Sequence, residues 1–122
     1  MSVMPAAVLR KLYVKGSLRV TEGGFAFDLK NLIAPATITR VDGLEVDGER
    51  IEDPHAAIVL PSGAARPIDQ VSPGRPVEFP VGTVVTLHAS HRALQPGEHN
   101  VAIRVQVKEI GSLEIPVSDT VG

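Results

Sequence analysis

The chain has 122 residues, which is enough for one domain whose core needs neither disulfide bonds nor a structural metal. It has no cysteine, which excludes disulfide frameworks, thiolate zinc sites and cysteine nucleophiles and fits a reducing compartment. The formal net charge of −2 provides no basic field for nucleic acid. Neither an apolar run of about 20 residues nor a signal-peptide pattern stands out, so we expect a cytoplasmic protein.

The distribution of glycine and proline favours an all-β fold. The 11 glycines and 10 prolines are spread along the whole chain, so that a turn-forming residue recurs at short intervals. Such spacing suits many short strands better than helices.

The first third of the chain predicts a flexible N-terminal segment, residues 1–10, followed by strands. A strand is expected at residues 11–15, although residues 8–12 can alternatively form a helical turn. Residues 18–20 and 25–29 flank Gly23 and Gly24, and Phe25, Phe27 and Leu29 share one face. This pattern predicts a β-hairpin whose phenylalanines enter the core.

The middle of the chain predicts a long strand and then an irregular excursion. Residues 37–46 are rich in β-branched side chains and contain Gly43, which indicates a bulge or a short turn. After residues 57–60, the segment 61–80 contains five prolines, which cannot donate to a sheet ladder. We therefore predict that residues 61–80 run mainly outside the central sheet, either as a contact loop for a partner or as a plain exposed connection.

The last third of the chain has the clearest strand pattern. Val101, Ile103, Val105 and Val107 alternate with polar or small residues, and Leu113, Ile115 and Val117 alternate after Gly111. Residues 95–98 have Pro96 and Gly97 at the central places of a type II turn. We predict that this turn pairs residues 83–90 with residues 101–108.

These elements together predict an all-β fold: an antiparallel, jelly-roll-like β-sandwich of about seven or eight strands in one domain at residues 11–122. An open barrel is the alternative.

Three histidines, His88, His91 and His99, are the first candidates for a metal site, because three imidazoles and a water can bind zinc. His88 and His91 are an odd number of residues apart, so they point to opposite faces of a regular strand. Surface or interface histidines are the favoured interpretation.

The acidic residues offer weaker candidates. Asp42 with Glu45 and Asp47 with Glu49 lie beside glycines, but their spacing does not match a calcium loop and is explained by turn geometry. Asp119 is a candidate catalytic carboxylate, with a solvated tail residue as the favoured alternative. We assign no catalytic, cofactor-binding or metal-binding residue.

Four motifs occur in one order along the chain: Ser17-Leu18-Arg19, Gly24-Phe25-x-Phe27-x-Leu29, Val46-Asp47-Gly48-Glu49 and Leu94-x-Pro96-Gly97-Glu98-His99-x-Val101. In this order the chain resembles the small β subunit of bacterial C-glycoside deglycosidases. The resemblance implies a β-sandwich subunit of a heteromeric lyase of carbohydrate metabolism that cleaves the carbon–carbon bond of 3-oxo-C-glycosides.

The same resemblance implies a partner, a TIM-barrel α subunit that holds a divalent metal such as manganese and the catalytic groups. The chain itself is then expected to be noncatalytic, to hold no cofactor, to stabilise the α subunit and to border the active site that receives the C-glycoside. A free-standing β-sandwich that binds a ligand or carbohydrate is the alternative, against which the shortage of aromatic residues speaks. An independent metal hydrolase built on the histidines ranks last.

Overall fold

The protein is an antiparallel β-sandwich in a computed structural model that describes residues 5–51, 55–90 and 94–121. The strands are β1 (Arg19–Thr21), β2 (Gly24–Lys30), β3 (Ala36–Val46), β4 (Glu49–Arg50), β5 (His55–Val59), β6 (Ala65–Pro67), β7 (Val77–Phe79), β8 (Val84–Ser90), β9 (Gly97–Val107) and β10 (Gly111–Val121). One sheet has the order β1-β2-β8-β5-β6, and the other has the order β10-β9-β3-β4 with β7 paired to β3. The predicted all-β sandwich is confirmed.

The core lies between the two sheets and is built from the predicted alternation. Phe25 and Phe27 of the first sheet are fully buried, and Ile103 and Val105 of the second sheet are 2% exposed. Because side chains alternate across a strand, Arg104 between Ile103 and Val105 faces solvent, whereas Ala26 between the two phenylalanines is buried as well. The hairpin of β1 and β2 and the last strand β10 are confirmed.

The strand β3 runs without interruption through Gly43, where its register with β9 shifts. Of the two predictions for Gly43, the bulge is therefore correct. The chain then reverses at Asp47 and Gly48, which both have positive φ, at 51° and 81°. An Asp-Gly pair suits this turn because both residues tolerate the left-handed region.

The proline-rich segment 61–80 is more ordered than the prediction of a mainly irregular excursion. It forms β6 on one sheet, a short 3-10 turn at Ile68–Gln70, and β7 on the other sheet. Its apolar residues Ile68, Val71, Val77 and Phe79 are buried. The segment thus crosses from one sheet to the other and closes one side of the sandwich. Pro67 is tolerated because β6 lies at the edge of its sheet, and β7 contains no proline.

The segment before β1 closes the other side, and the strand predicted at residues 11–15 is wrong. The structure has a helix α1 at Ala6–Leu9 and a 3-10 turn at Arg10–Leu12, after which Tyr13 forms a single bridge to Leu29. Leu9 and Leu12 are buried, so the helical turn is stabilised by docking its leucines against the core. No helix of the described residues is long and apolar enough to cross a membrane.

The predicted pairing of residues 83–90 with 101–108 is also wrong. Strand β8 pairs with β2 and β5, whereas β9 pairs with β3 and β10 in the other sheet. Pro96 therefore precedes, and Gly97 begins, a strand that lies in the opposite sheet from β8. A turn motif predicts that the chain bends, but it does not say whether the next strand pairs with the preceding one or lies in the opposite sheet.

Candidate functional site

Two regions at opposite ends of β9 carry the features that strand pairing alone does not explain. Near Val107 and Glu109 the loops between strands expose apolar side chains, whereas near His99 the surface carries hydrogen-bonded charges. Strand β9 has 11 residues, and the eight steps from His99 to Val107 span about 26 Å at a rise of about 3.3 Å per residue.

Asn31 organises the apolar region. It is 2% exposed, and among the described residues it is the only polar residue that is buried. Its amide nitrogen donates to the carbonyl oxygens of Ala34 and Phe79, both at 2.7 Å, and its amide oxygen accepts from the backbone N–H of Ile33 at 3.0 Å. Its backbone is paired with the next loop as well, to Gly82 and Thr83. One residue thereby fixes the β2–β3 and β7–β8 loops to one another.

These two loops and the first residue of β8 present an apolar surface, which we call the apolar platform and define as Leu32, Ile33, Val81 and Val84. Leu32 is 59% exposed and Val81 is 51% exposed, although both are large aliphatic residues. Scattered exposed apolar residues are normal, whereas a group of them on two joined loops is a candidate interaction surface.

A cavity of about 110 Å³ lies behind the apolar platform, between the two sheets. Ile33 belongs both to the platform and to the cavity wall, and the interior wall is formed by core residues such as Ile58 and Ile103. Glu109 also borders this cavity. Its carboxylate accepts hydrogen bonds from the backbone N–H and the hydroxyl of Thr37, both at 2.9 Å, and the backbone bond lowers the pKa of Glu109.

The second region is the polar cluster, which we define as Tyr13, Asp47, His99 and Asp119. Asp119 accepts hydrogen bonds at 2.6 Å from the hydroxyl of Tyr13 and from the backbone N–H of Gly16. The Tyr13 hydroxyl in turn accepts from the backbone N–H of Leu18 at 2.8 Å. The candidate catalytic carboxylate Asp119 therefore fastens the segment before β1 to the edge strand β10.

The pKa values of this pair are displaced in opposite directions. The hydrogen bond from Tyr13 is the main cause that lowers the pKa of Asp119. Burial, followed by the bond to Asp119, raises the pKa of Tyr13. Both shifts keep the carboxylate charged and the phenol neutral at neutral pH, which is the arrangement that a structural hydrogen bond requires.

His99 and Asp47 form the other half of the polar cluster. In its protonated form His99 donates from Nδ1 to the Asp47 carboxylate at 2.7 Å and from Nε2 to the carbonyl oxygen of Gln95 at 2.6 Å. Both partners are acceptors, so the pKa of His99 is raised, chiefly by Asp47. Asp47 also accepts from the backbone N–H of Asn100 at 2.8 Å, and this bond is the main cause that lowers the pKa of Asp47.

The histidines singled out from the sequence are not gathered at one place. His88 lies on the outer face of the first sheet, where it borders an open cleft of about 400 Å³ with His55 and Asp69, whereas His99 lies in the second sheet. His91 lies outside the described residues. Within residues 5–51, 55–90 and 94–121, no group of three or more His, Asp or Glu residues is placed to hold a metal ion.

The remaining acidic candidates take part in surface pairs. Asp42 lies 3.4 Å from Arg40 and accepts from Gln106, and Glu45 lies 2.9 Å from Arg104. These side chains link neighbouring strands of the second sheet on its solvent face. Sequence reasoning missed Asn31, whose signal is a polar residue at the end of an apolar strand and before Leu32-Ile33.

The fold and the two regions define the class as a single all-β sandwich domain with an apolar platform at one end. Residues 8–122 match the family described as hydroxymethylglutaryl-CoA reductase, N-terminal domain, and the chain belongs to that family. A comparison with curated proteins found no match.

The family match overturns the resemblance to the C-glycoside deglycosidase β subunit and with it the predicted lyase function. It gives no support to the alternative of a free-standing ligand- or carbohydrate-binding module either. The expected larger partner and the metal held by that partner stay predictions, because no observation on this chain tests them.

The physical reason for the error is visible in the motifs. Val46-Asp47-Gly48-Glu49 forms the tight turn after β3, and Gly24-Phe25-x-Phe27-x-Leu29 is the alternation of a core strand. Turn and core patterns of this kind are dictated by backbone geometry and burial, so they recur in unrelated β proteins. Their order in one chain reflects a β-sandwich and not a particular activity.

Proposed function

We propose that this chain is a noncatalytic docking domain of a hydroxymethylglutaryl-CoA reductase and that its apolar platform packs against the catalytic region of that enzyme. The single observation that carries the proposal is the exposure of Leu32, Ile33, Val81 and Val84 on two loops joined through Asn31. The family match supports the identity of the partner, because the family is described as the N-terminal domain of this reductase.

The arrangement of the platform favours protein docking. Apolar side chains form its centre, whereas Lys30 and Glu109 are exposed nearby, which resembles the apolar core and polar rim of a protein interface. The Asn31 hydrogen bonds hold both loops in place before any partner binds. Such preorganisation lowers the entropic cost of association.

The polar cluster has a different use. Asp119 is occupied by Tyr13 and Gly16, and Asp47 is occupied by His99 and Asn100, so both carboxylates have structural roles in fastening separate segments. These contacts support the assignment of the domain as a scaffold. A cytoplasmic location belongs to the same proposal and is supported by the absence of cysteine.

The proposal is tested by isothermal titration of this chain with the catalytic region of the reductase from the same organism, supplied as a separate polypeptide. We expect saturable binding for the wild type and a loss of about thirtyfold or more in affinity for the double variant Leu32→Asp, Val81→Asp, since central interface residues dominate affinity.

The matched control is Val20→Asp. Val20 is 46% exposed in the edge strand β1 and does not belong to the platform. We expect this variant to bind like the wild type. Equal weakening by Val20→Asp and by the platform variant would contradict the proposed surface, and a wild-type chain that does not bind would contradict the proposed function.

A further inference from the structure

The cavity behind the apolar platform restricts which side chains of a partner can pack against the docking surface. We propose that this cavity is a socket for one aliphatic side chain of the reductase's catalytic region, and that a basic residue next to that side chain faces Glu109. This inference rests on the proposed docking function, which it deepens by naming the partner's contact residues.

The size of the cavity selects the occupant. A dry cavity of about 150 Å³ lined by aliphatic and aromatic side chains accepts a benzene molecule. The volume here is about 110 Å³, which suits the side chain of leucine, isoleucine or methionine and is too small for tryptophan. Ile33 lies on both the platform and the cavity wall, so a side chain projecting from a docked surface reaches the cavity without crossing a polar layer.

The polarity of the wall selects an apolar occupant. Asn31 and Glu109 are the polar residues among the described residues that line the cavity. Both donor positions and the acceptor of the Asn31 amide are already bonded to Ala34, Phe79 and Ile33. A polar side chain inside the cavity therefore loses its hydration without gaining a partner there, which is costly.

The charge at the rim of the cavity determines which residue of the partner fits next to the side chain that enters the cavity. Glu109 is held beside Thr37 by two hydrogen bonds, and Glu78 is in register with Thr37 on the adjoining strand β7. Lys108 and Lys30 balance the charges of Glu109 and Glu78 around the rim, but among the described residues that line the cavity Glu109 is the charged one. An arginine or lysine next to the occupant complements Glu109 at this position, whereas a carboxylate there is repelled.

The test fills the socket without changing the platform. Ala36 lines the cavity, so Ala36→Leu occupies its volume from within, and Ala57→Leu is the matched control on the outer face of β5. In titrations with the catalytic region we expect about tenfold or greater weakening for Ala36→Leu and no change for Ala57→Leu. Ala36→Val replaces Ala36→Leu if thermal melting shows that the larger residue unfolds the domain.

The charge half of the inference has its own pair of variants. Glu109→Gln keeps an acceptor for Thr37 but removes the charge, and we expect about fivefold weaker binding at low salt with a smaller salt dependence. Glu98→Gln, an exposed residue at the other end of β9, is expected to bind like the wild type.

The outcomes separate this inference from the proposed function. Binding that is weakened by Leu32→Asp, Val81→Asp but not by Ala36→Leu overturns the socket and keeps the docking function. A wild-type chain that does not bind overturns both. Self-association that Ala36→Leu abolishes assigns the socket to a second copy, and saturable uptake of a small hydrocarbon without the partner assigns it to a free ligand; either result overturns the inference.

Discussion

The apolar platform and the polar cluster use hydrogen bonds for opposite purposes. At the platform, the buried amide of Asn31 makes all its hydrogen bonds to backbone groups of the loops. The loops held in this way leave an apolar surface exposed. At the polar cluster, partly exposed carboxylates fasten segments distant in the chain, Tyr13 to Asp119 and Asp47 to His99. We propose the first region as a docking surface, whereas the second holds the sandwich together.

The comparison teaches that displaced pKa values and charged pairs do not identify a functional site by themselves. The four groups of the polar cluster have shifted pKa values, yet the shifts of Asp47, His99 and Asp119 follow chiefly from bonds that link structural segments, and the shift of Tyr13 follows chiefly from burial. Structural networks perturb pKa values as catalytic sites do. The platform has few titratable groups, and only its apolar exposure distinguishes it.

The largest expected effect is the loss of Asn31. Asn31→Ala leaves the buried carbonyl oxygen of Phe79 without its partner, together with the part-buried carbonyl oxygen of Ala34 and N–H of Ile33, so we expect the free energy of unfolding to fall by about 3 kcal/mol. Urea denaturation measures it. Asn100→Ala, which removes one exposed bond with Ser118, is the matched control and is expected to cost about 1 kcal/mol or less. An equal loss of unfolding free energy in Asn31→Ala and Asn100→Ala would contradict the role of Asn31 in holding the platform loops.

A smaller effect is expected from the bond between Tyr13 and Asp119. Tyr13→Phe and Asp119→Asn are each expected to lower the free energy of unfolding by about 1 kcal/mol, and a double-mutant cycle should give a coupling of similar size. Asp42→Asn, at an exposed pair with Arg40, is the control and is expected to change stability by less than about 0.5 kcal/mol. A coupling near zero would show that Asp119 does not fasten the N-terminal segment.

The pH dependence of stability tests the pair of His99 and Asp47 in the polar cluster. The folded-state pKa of His99 is raised, so its contribution is complete below the unfolded value of about 6.5 and is lost as the pH rises through the folded value. The pKa of Asp47 is lowered, so its contribution is present above the unfolded value of about 3.9 and is lost as the pH falls through the folded value.

His99→Gln should therefore cost most between about pH 4 and pH 6.5 and least above the raised folded-state pKa of His99. Because Asp47 is partly exposed, the difference should stay below about 1 kcal/mol. Urea denaturation of the wild type and His99→Gln across this pH range measures the difference, with His88→Gln as control. A larger cost at pH 9 than at pH 5.5 would contradict the charged pair.

The smallest effect on stability is expected at the platform surface. Leu32→Ser and Val81→Ser remove exposed apolar side chains, so each should change the free energy of unfolding by less than about 0.5 kcal/mol while weakening binding to the catalytic region. Thermal melting and titration of the same preparations test this separation. A variant that unfolds the domain would place these side chains in the core and not on a docking surface.

The sequence predicts strands well where apolar residues alternate with other residues over the whole length of the strand. The alternation in β9 and β10 and the shared face of Phe25, Phe27 and Leu29 determine which side chains are buried. The partner of a strand is a different matter, because Pro96 and Gly97 suit both a hairpin and a crossing between sheets. At residues 8–12 the sequence allows both a strand and a helical turn, and the helical alternative is the one that fits the structure, since docking Leu9 on the core stabilises it more than local propensity does.

The candidate site was less predictable than the fold. The bonds of Asn31 join it to Phe79, far along the chain, and no local pattern encodes that contact. Asp119 and Asp47 were visible as carboxylates, but the partners that give them structural roles, Tyr13 and His99, are distant in sequence. The apolar residues Leu32 and Val81 look like core residues until the strands that exclude them from the core are in place.

The most direct measurement is hydrogen–deuterium exchange of this chain with and without the catalytic region of the reductase. The account predicts that binding slows exchange in residues 31–34 and 81–84 and leaves residues 13–18 and 97–100 unchanged. Slower exchange confined to residues around Tyr13 and His99, with residues 31–34 and 81–84 unaffected, would contradict it.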